Sequence, residues 1–205
     1  MESQRKPAED PAADGERVRL RDGAELIVRP VRPEDRDLFV AGFESMSEES
    51  RYRRFLSYKK KLSDRELDFF TNLDHHRHEA IGAIDETTGR GVGVSRMHVR
   101  EDDPEVAEAA VTVIDDLQGR GLGKLLLGRI AQRARELGVH RFEASLLTTN
   151  KAMLTLFDQL GCMRAHRESL DVMTIDVELP VAEAEEALGA ALKSVAEGST
   201  AVVPD

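Results

Sequence analysis

The sequence predicts a mixed α/β domain of the α+β kind, with a central, mostly antiparallel twisted sheet of about seven strands flanked by helices. Three strand patterns, at residues 79–85, 91–100 and 105–114, follow one another with no predicted helix between them, which indicates an antiparallel meander. After them, helix and strand patterns alternate, and the clearest is a long amphipathic helix at 121–137.

The bulk composition limits the class of protein. A chain of 205 residues with 40% hydrophobic and 33% charged residues is long enough for one globular domain with a proper core. It contains no apolar run of roughly 18 residues and no signal-peptide pattern, so we expect neither membrane insertion nor secretion. The single cysteine, Cys162, excludes an internal disulfide and suits a reducing cytoplasm. The net charge of −10 argues against nucleic acid as a partner and is compatible with a cationic substrate such as a lysine side chain.

The chain begins with a tail and a hairpin. Residues 1–16 lack apolar periodicity and are expected to form a flexible tail. Strands at 18–20 and 24–29 flank the sequence Asp22-Gly23, which is typical of a tight turn. We therefore expect the fold to open with a β-hairpin.

Three helices are expected between this hairpin and the meander. The first covers residues 34–44 and follows Pro33, which suits a first helical turn. Ser47 and Ser63 are N-cap candidates for the other two, and Glu66 completes a capping box with Ser63.

The second half of the chain alternates between helix and strand. The helix at 121–137 carries apolar residues at i+4 spacing and is followed by Gly138, a suitable helix-ending residue. A strand, a helix and two strands are predicted after it, at 139–147, 150–160, 162–170 and 171–179. Residues 181–205 are expected to form a C-terminal helical extension and a loose tail.

A glycine-rich turn at residues 118–123 joins the last meander strand to the long helix. Glycine permits positive φ and close approach to a ligand, and the first-turn amides and the helix dipole favour an anion. Lys124 is followed by Leu125 instead of Ser or Thr, which excludes a P-loop. The G-x-G-x-G spacing, with no acid at 139–140, excludes a dinucleotide fingerprint. The turn is therefore predicted to hold the pyrophosphate of some other ligand.

This turn resembles the Q/R-x-x-G-x-G/A signature of the GNAT acyltransferases, with Gln118, Gly121 and Gly123 at the specified positions. The predicted order of elements over residues 17–180 is also the GNAT order. The resemblance implies a GNAT fold over that range, acetyl-CoA as the cosubstrate and no metal.

A later segment resembles a second GNAT signature, N-x-x-A-x-x-L-Y-x-x-x-G-F. Asn150 and Gly161 match it, whereas Met153, Phe157 and Cys162 stand where the family has Ala, Tyr and Phe. In this resemblance Asn150 hydrogen-bonds the pantetheine, although its side chain also suits a helix N-cap. Phe157 cannot protonate the leaving CoA thiolate as the usual Tyr does, so either water does so or the thiolate leaves unprotonated.

The residues expected to bind acetyl-CoA lie on the strand at 105–114, the glycine-rich turn, the start of the helix at 121–137 and the helix at 150–160. Val113 and Ile114 should offer backbone groups to the pantetheine arm, like an added strand. Arg120 and Lys124 either add positive charge at the pyrophosphate or are solvated cations at the helix start. The full expected set is Val113, Ile114, Gln118, Gly119, Arg120, Gly121, Leu122, Gly123, Lys124, Asn150, Met153 and Phe157.

Further segments resemble one subfamily, the bacterial protein lysine acetyltransferases that act on acyl-CoA synthetases. They are residues 20–23, 29–30, 33–35, 50–55 and 107–108. Larger members carry a regulatory domain, and the stretch preceding the fold here is too short for one. We therefore expect no direct control by a cyclic nucleotide. The resemblance implies a lysine amine of a protein as the acceptor.

The chemistry is attack of a neutral amine on a thioester. A free lysine has a pKa of about 10.4, so forming its neutral form at pH 7 costs roughly 4–5 kcal/mol, which a carboxylate base partly offsets. Glu108 is the expected catalytic base, because it lies on the strand leading to the glycine-rich turn and matches the catalytic Glu of the lysine acetyltransferases. Glu105 and Glu143 are the weaker candidates, and Glu108 could instead be a solvated strand residue.

Two alternatives to protein acetylation remain open at the level of sequence. The chain could acetylate a small amine, or act as a catalytically weak acyl-CoA-binding regulatory module.

His75, His76 and His78 suggest a metal site, but a solvated loop is the better interpretation. Cys162 is expected in the core and not as a nucleophile. Exposed edge strands are compatible with a homodimer.

Overall fold

The computed structural model describes residues 15–180, so most of the predicted N-terminal tail and all of the predicted C-terminal extension lie outside the described residues. The described part contains eight strands, five α-helices and two short 3-10 turns. The strands are β1 (Glu16–Arg19), β2 (Glu25–Pro30), β3 (His78–Asp85), β4 (Gly91–Val99), β5 (Val106–Val113), β6 (Arg141–Leu147), β7 (Cys162–Arg167) and β8 (Val172–Glu178). The helices are α1 (Arg36–Glu44), α2 (Glu48–Phe55), α3 (Asp64–Thr71), α4 (Leu122–Glu136) and α5 (Lys151–Asp158).

The strands form one sheet in the order β1-β2-β3-β4-β5-β6-β8-β7. Every pairing is antiparallel except that of β5 with β6, which run parallel because α4 crosses between them. The predicted mixed, mostly antiparallel sheet flanked by helices is confirmed. It has eight strands instead of about seven, because the first hairpin strand also joins the sheet.

The helix α4 covers one face of the sheet with the stripe that its sequence predicts. Leu122, Leu126, Ile130 and Ala134 are each at most 1% exposed. Burying a leucine side chain of this kind contributes roughly 1.5–3 kcal/mol. The Ser95 hydroxyl of β4 donates to the Leu126 carbonyl at 2.8 Å and fixes the helix against the sheet.

Aromatic side chains of α1, α2 and α3 pack over the opposite face of the sheet. The rings of Phe39 and Phe70 stack with centroids 5.7 Å apart, and those of Phe43 and Phe55 meet edge to face at 5.7 Å. Such pairs add about 0.5–1.5 kcal/mol beyond the area they bury. These three helices therefore cover the part of the sheet formed by β2, β3 and β4.

The N-caps expected at two of these helices are present. The Ser47 hydroxyl accepts from the Ser50 N–H at 3.2 Å, and the Ser63 hydroxyl accepts from the Glu66 N–H at 3.3 Å. The Glu66 carboxylate in turn accepts from the Ser63 N–H at 2.9 Å, which completes the capping box. Each cap contributes roughly 0.5–2 kcal/mol, so the short helices α2 and α3 begin at defined residues.

A buried ion pair ties β2 to the start of α1. The Arg29 guanidinium donates to both Asp35 carboxylate oxygens, at 2.8 and 2.6 Å, and both residues are at most 5% exposed. Asp35 also accepts from the Arg32 N–H at 2.8 Å. The bidentate geometry with an additional backbone donor satisfies the buried carboxylate.

The expectation that Cys162 lies in the core is wrong. The residue opens β7, which lies at the edge of the sheet beside β8 alone, and its side chain is exposed. The strand also ends at Arg167, before the predicted residue 170, and Leu170 is 83% exposed. Strand composition alone does not show that this strand lacks a covering layer.

Candidate active site

The candidate site forms where two parallel strands separate. β5 and β6 pair only through Val106–Glu108 and Arg141–Glu143. Beyond Glu108, β5 continues to Val113 paired with β4 alone, so its other edge has no strand partner among residues 15–180. The separation opens a cleft of about 570 Å³.

Five elements line this cleft: β5, β6, the turn before α4, α5 and α2. Nine of the twelve predicted acetyl-CoA residues line it together. They are Val113, Gln118, Gly119, Gly121, Gly123, Lys124, Asn150, Met153 and Phe157. The predicted residues that do not line it are Ile114, Arg120 and Leu122.

The turn before α4 has the backbone conformation that its glycines predict. Gly119 and Gly121 have φ of +73° and +92°, in the left-handed region that disfavours side chains. Gly121 is the N-cap of α4, and no side chain caps the helix. The first-turn amides, including that of the buried Leu122, are therefore available to an anion in the cleft.

Gln118 positions this turn from within the protein. Its side-chain amide donates to the Val113 carbonyl at 3.1 Å and to the Ser50 hydroxyl and the Asp115 carboxylate, both at 3.3 Å. Asp115 also accepts from the Ser47 N–H at 2.7 Å. Partial burial opposes the shift, but the hydrogen bonds from Ser50 and Ser47 lower the pKa of Asp115. Asp115 and Gln118 thus join the start of α2 to the turn.

The charged residues that line the cleft are all basic. Arg53, Arg54 and Lys124 line it, and no Asp or Glu of the described chain does. Arg120 points elsewhere: its guanidinium pairs with Asp22 in the turn between β1 and β2. Although the chain has a net charge of −10, this cleft is suited to an anion.

The start of α5 forms the far wall of the cleft. The Asn150 side chain is 8% exposed and accepts from the Met153 N–H at 3.3 Å, so Asn150 is the N-cap of α5 as well as a lining residue. Phe157 is 1% exposed and brings no hydroxyl to the cleft. A Cβ at Gly123 would lie 3.3 Å from Leu156, so glycine lets the start of α4 approach α5 closely.

Ile114 contributes differently from its neighbour Val113. Its N–H donates to the Val92 carbonyl at 3.1 Å, and its side chain lines a smaller adjacent cavity. Of the two residues expected to offer backbone groups to a ligand, Val113 alone lines the cleft.

Glu108 is the last β5 residue paired with β6, so it stands where the strands begin to separate. Ala107 and Ala109 belong to the core under α4, so the Glu108 side chain points to the opposite face, where it is exposed. Its register partners are His98 and Glu143. Glu143 accepts from Arg100 at 2.8 Å, whereas Glu108 has no hydrogen bond or ion pair within residues 15–180.

The three neighbouring histidines differ in position, and His78 is the one that packs on the face carrying Glu108. His75 shares a hydrogen bond of 2.8 Å with the buried Glu79. The His78 ring contacts Arg96 and lies 4.4 Å from the Phe69 ring. Burial, with the charges of Arg96 and His98, lowers the pKa of His78 to about 4. In the described part of the chain, no group of three His, Cys, Asp or Glu side chains could hold a metal ion.

Several residues of the site were not singled out from the sequence. Ser50, Arg53 and Arg54 lie on α2 and face the cleft, and Asp115 links that helix to the turn. Residues 50–55 resemble the subfamily in sequence, but their position over the cleft depends on tertiary packing.

Within residues 15–180, every helix is too short or too polar to span a lipid bilayer.

The chain is similar to known proteins over most of its length. The family model for the acetyltransferase (GNAT) domain matches residues 25–163. Acetyltransferase Pat of Mycolicibacterium smegmatis is 34% identical over 163 residues, which are 80% of this chain and 48% of Pat. Acetyltransferase PA5475 of Pseudomonas aeruginosa is 33% identical over 144 residues, covering 69% of this chain and 77% of that protein.

A solved structure shows the same architecture. The GNAT domain of S. lividans PAT superposes with a TM-score of 0.73 at 31% identity, covering 83% of this chain and 100% of that one. The chain spans about half the length of the M. smegmatis relative, 48%. The family match, these identities and the shared fold lead to one conclusion: the chain belongs to the GNAT acetyltransferase family.

Proposed function

We propose that this protein is an acetyl-CoA-dependent N-acetyltransferase that moves an acetyl group to a lysine amine of a protein, by direct attack in a ternary complex with Glu108 as the base. The observation that carries the proposal is the separation of β5 from β6 immediately beyond Glu108. It provides an unpaired strand edge for a thioester ligand and a free carboxylate beside it.

The cleft suits the donor from end to end. The pantetheine arm would run along the free edge of β5 and pair with its backbone groups as an added strand does. The pyrophosphate would lie at the turn of Gly119 and Gly121, with Lys124 nearby and the first-turn amides of α4 pointing at it. Asn150 would bond the pantetheine with the part of its side chain not used in capping α5.

The acceptor would approach from the face of the sheet on which Glu108 lies. Glu108 would take the proton of the lysine ammonium, and the neutral amine would attack the thioester carbon. The tetrahedral intermediate would then lose the second proton of its nitrogen to solvent and collapse, which breaks the C–S bond and releases the CoA thiolate. Because Phe157 has no hydroxyl, water protonates the thiolate or it leaves unprotonated. Exposed Phe69, near His98, offers an apolar contact for the acceptor on this face.

Two further observations favour a protein as the acceptor. The chain is similar to Acetyltransferase Pat, and it shares the motifs by which it resembles the bacterial protein lysine acetyltransferases. The net charge of −10 favours encounter with basic surfaces. An acyl-CoA synthetase is the proposed protein partner, in the cytoplasm.

The test is acetyl transfer from isotopically labelled acetyl-CoA to a bacterial proteome, read by mass spectrometry and compared with a reaction lacking the protein. We expect label on lysine side chains of a small set of proteins, with purified acyl-CoA synthetases labelled at one site. Label on polyamines or other small amines alone would assign the protein to small-molecule acetylation. Binding of acetyl-CoA without any transfer would support a regulatory acyl-CoA-binding module and contradict the proposal.

A further inference from the structure

A second cavity, of about 100 Å³, lies beside the cleft and under α1, α2 and α3. Met46, Arg54 and Thr112 line both spaces, so the cavity is a side pocket of the cleft. Its walls are mainly apolar and include Phe39, Phe43, Phe55, Phe70 and Val94. A water molecule needs roughly 10–15 Å³ of such space, so a short aliphatic chain fits.

The side pocket has an unbalanced positive charge. Four charged residues line it: Arg29, Asp35, Arg54 and Arg96. Arg29 and Asp35 neutralise each other through their bidentate pair. No carboxylate of the described residues pairs with Arg54 or Arg96, so the pocket carries two uncompensated guanidinium groups.

Aromatic rings and neutral acceptors hold these two arginines in place. Arg96 is 7% exposed, lies 4.8 and 4.4 Å from the Phe69 and Phe70 ring centroids, and donates to the Phe69 carbonyl at 3.2 Å. The guanidinium of half-buried Arg54 lies 5.2 Å from the Phe55 centroid and has no hydrogen bond to any residue in 15–180. Neither arrangement supplies a negative charge.

The two guanidinium groups are held at an electrostatic cost. Burial lowers the pKa of Arg54 to about 10, and burial with repulsion from Arg54 lowers the pKa of Arg96 to about 9. A bound anion would relieve both the burial cost and the mutual repulsion, and a planar guanidinium is suited to a carboxylate. The pocket is therefore arranged for a negative group on an apolar chain.

We propose that Arg54 and Arg96 bind a carboxylate at the end of a short aliphatic chain carried by one of the two substrates. This inference rests on the proposed function, because it takes the adjoining cleft as the site of the CoA thioester. The carboxylate belongs either to a dicarboxylic acyl group, of succinyl length, or to a carboxylate-bearing amine acceptor. Glu108 lies outside the side pocket, which favours the acyl group as the carrier.

The first measurement tests the anion site without any transfer reaction. Butyrate and its neutral analogue butyramide are titrated at constant ionic strength, and the melting temperature is recorded. We expect butyrate alone to stabilise the wild type, with the effect lost in Arg54→Gln and partly kept in Arg54→Lys. The matched control is Arg65→Gln, which removes an exposed arginine of α3 with no contact to the pocket and should respond as the wild type does.

Two further arms identify the carrier. In the acyl arm, calorimetry compares succinyl-CoA with butyryl-CoA, and Arg54→Gln should weaken succinyl-CoA binding by roughly tenfold more than butyryl-CoA binding. In the acceptor arm, acetyl transfer to the free amino acid lysine is compared with transfer to cadaverine, which lacks the carboxylate. Arg54→Gln should raise the KM for lysine and leave the KM for cadaverine unchanged.

Each outcome decides the proposal. A selective loss in either arm supports it and names the carrier. If Arg54→Gln changes neither the affinity for succinyl-CoA relative to butyryl-CoA nor the KM for lysine relative to cadaverine, the pocket does not bind a substrate carboxylate. This conclusion holds even if butyrate stabilises the protein. A failure of acetyl transfer would contradict the proposed function and leave the butyrate and acyl-CoA binding results interpretable.

Discussion

Gly121→Ala tests whether the left-handed turn at the start of α4 binds the donor. An added Cβ at Gly121 would have no heavy atom within 4 Å, so the substitution introduces no clash. Its φ of +92° nevertheless disfavours any side chain, at a cost of roughly 1–2 kcal/mol. If the turn keeps its conformation, the free energy of unfolding falls by that amount. If the turn relaxes instead, the first-turn amides move and acetyl-CoA binding weakens by roughly 5–30-fold.

The assay combines urea unfolding with calorimetric binding of acetyl-CoA. Both are needed because the strain at residue 121 appears either as a lower free energy of unfolding or as a higher dissociation constant. Gly128→Ala is the matched control, since Gly128 lies inside α4, is exposed and also has open space around an added Cβ. We expect it to raise the free energy of unfolding by roughly 0.5–1 kcal/mol and to leave the dissociation constant unchanged. If Gly121→Ala behaves as Gly128→Ala does in both measurements, the strained turn is not what holds the ligand.

Three other changes have defined outcomes. Asp35→Asn removes the buried negative charge that binds the Arg29 guanidinium and should lower the free energy of unfolding by roughly 3–5 kcal/mol in urea titrations; a loss under 1 kcal/mol would contradict the buried pair. Because the folded protein holds the pKa of His78 at about 4, below its usual 6.5, stability is full above pH 6.5 and falls as the pH drops toward 4. His78→Phe should reduce the slope of unfolding free energy against pH between pH 6.5 and 4. An unchanged slope would show that His78 does not cause this pH dependence. Lys124→Gln should weaken acetyl-CoA binding and reduce its salt dependence more than Arg120→Gln does, since Arg120 pairs with Asp22; equal effects would argue against this difference in orientation.

The sequence predicted those features that depend on near neighbours in the chain. The stripe of α4, the cap at Ser63 and the positive φ of Gly121 each follow from residues a few positions apart. The antiparallel meander followed from the lack of a helix between its strands. The cleft itself was anticipated by resemblance, since the point where β5 and β6 separate depends on pairing between distant segments.

Features set by long-range packing were not predictable in the same way. Gln118 was expected at the ligand, but its amide also reaches Ser50, 68 positions away. Arg54 and Arg96 were not recognised as a pair, because only the folding of α2 over β4 brings them to one pocket. Cys162 was expected in the core, and the sequence does not reveal that β7 lies uncovered at the sheet edge.

Glu108→Gln tests the central claim most directly, because it removes the proposed base while keeping the side chain's size. Single-turnover transfer to a lysine acceptor is measured beside calorimetric binding of acetyl-CoA, with Glu101→Gln, at an exposed residue between β4 and β5, as the control. We expect the transfer rate of Glu108→Gln to fall by roughly 10²–10⁴-fold with acetyl-CoA binding unchanged. Transfer at the wild-type rate by Glu108→Gln would contradict the account.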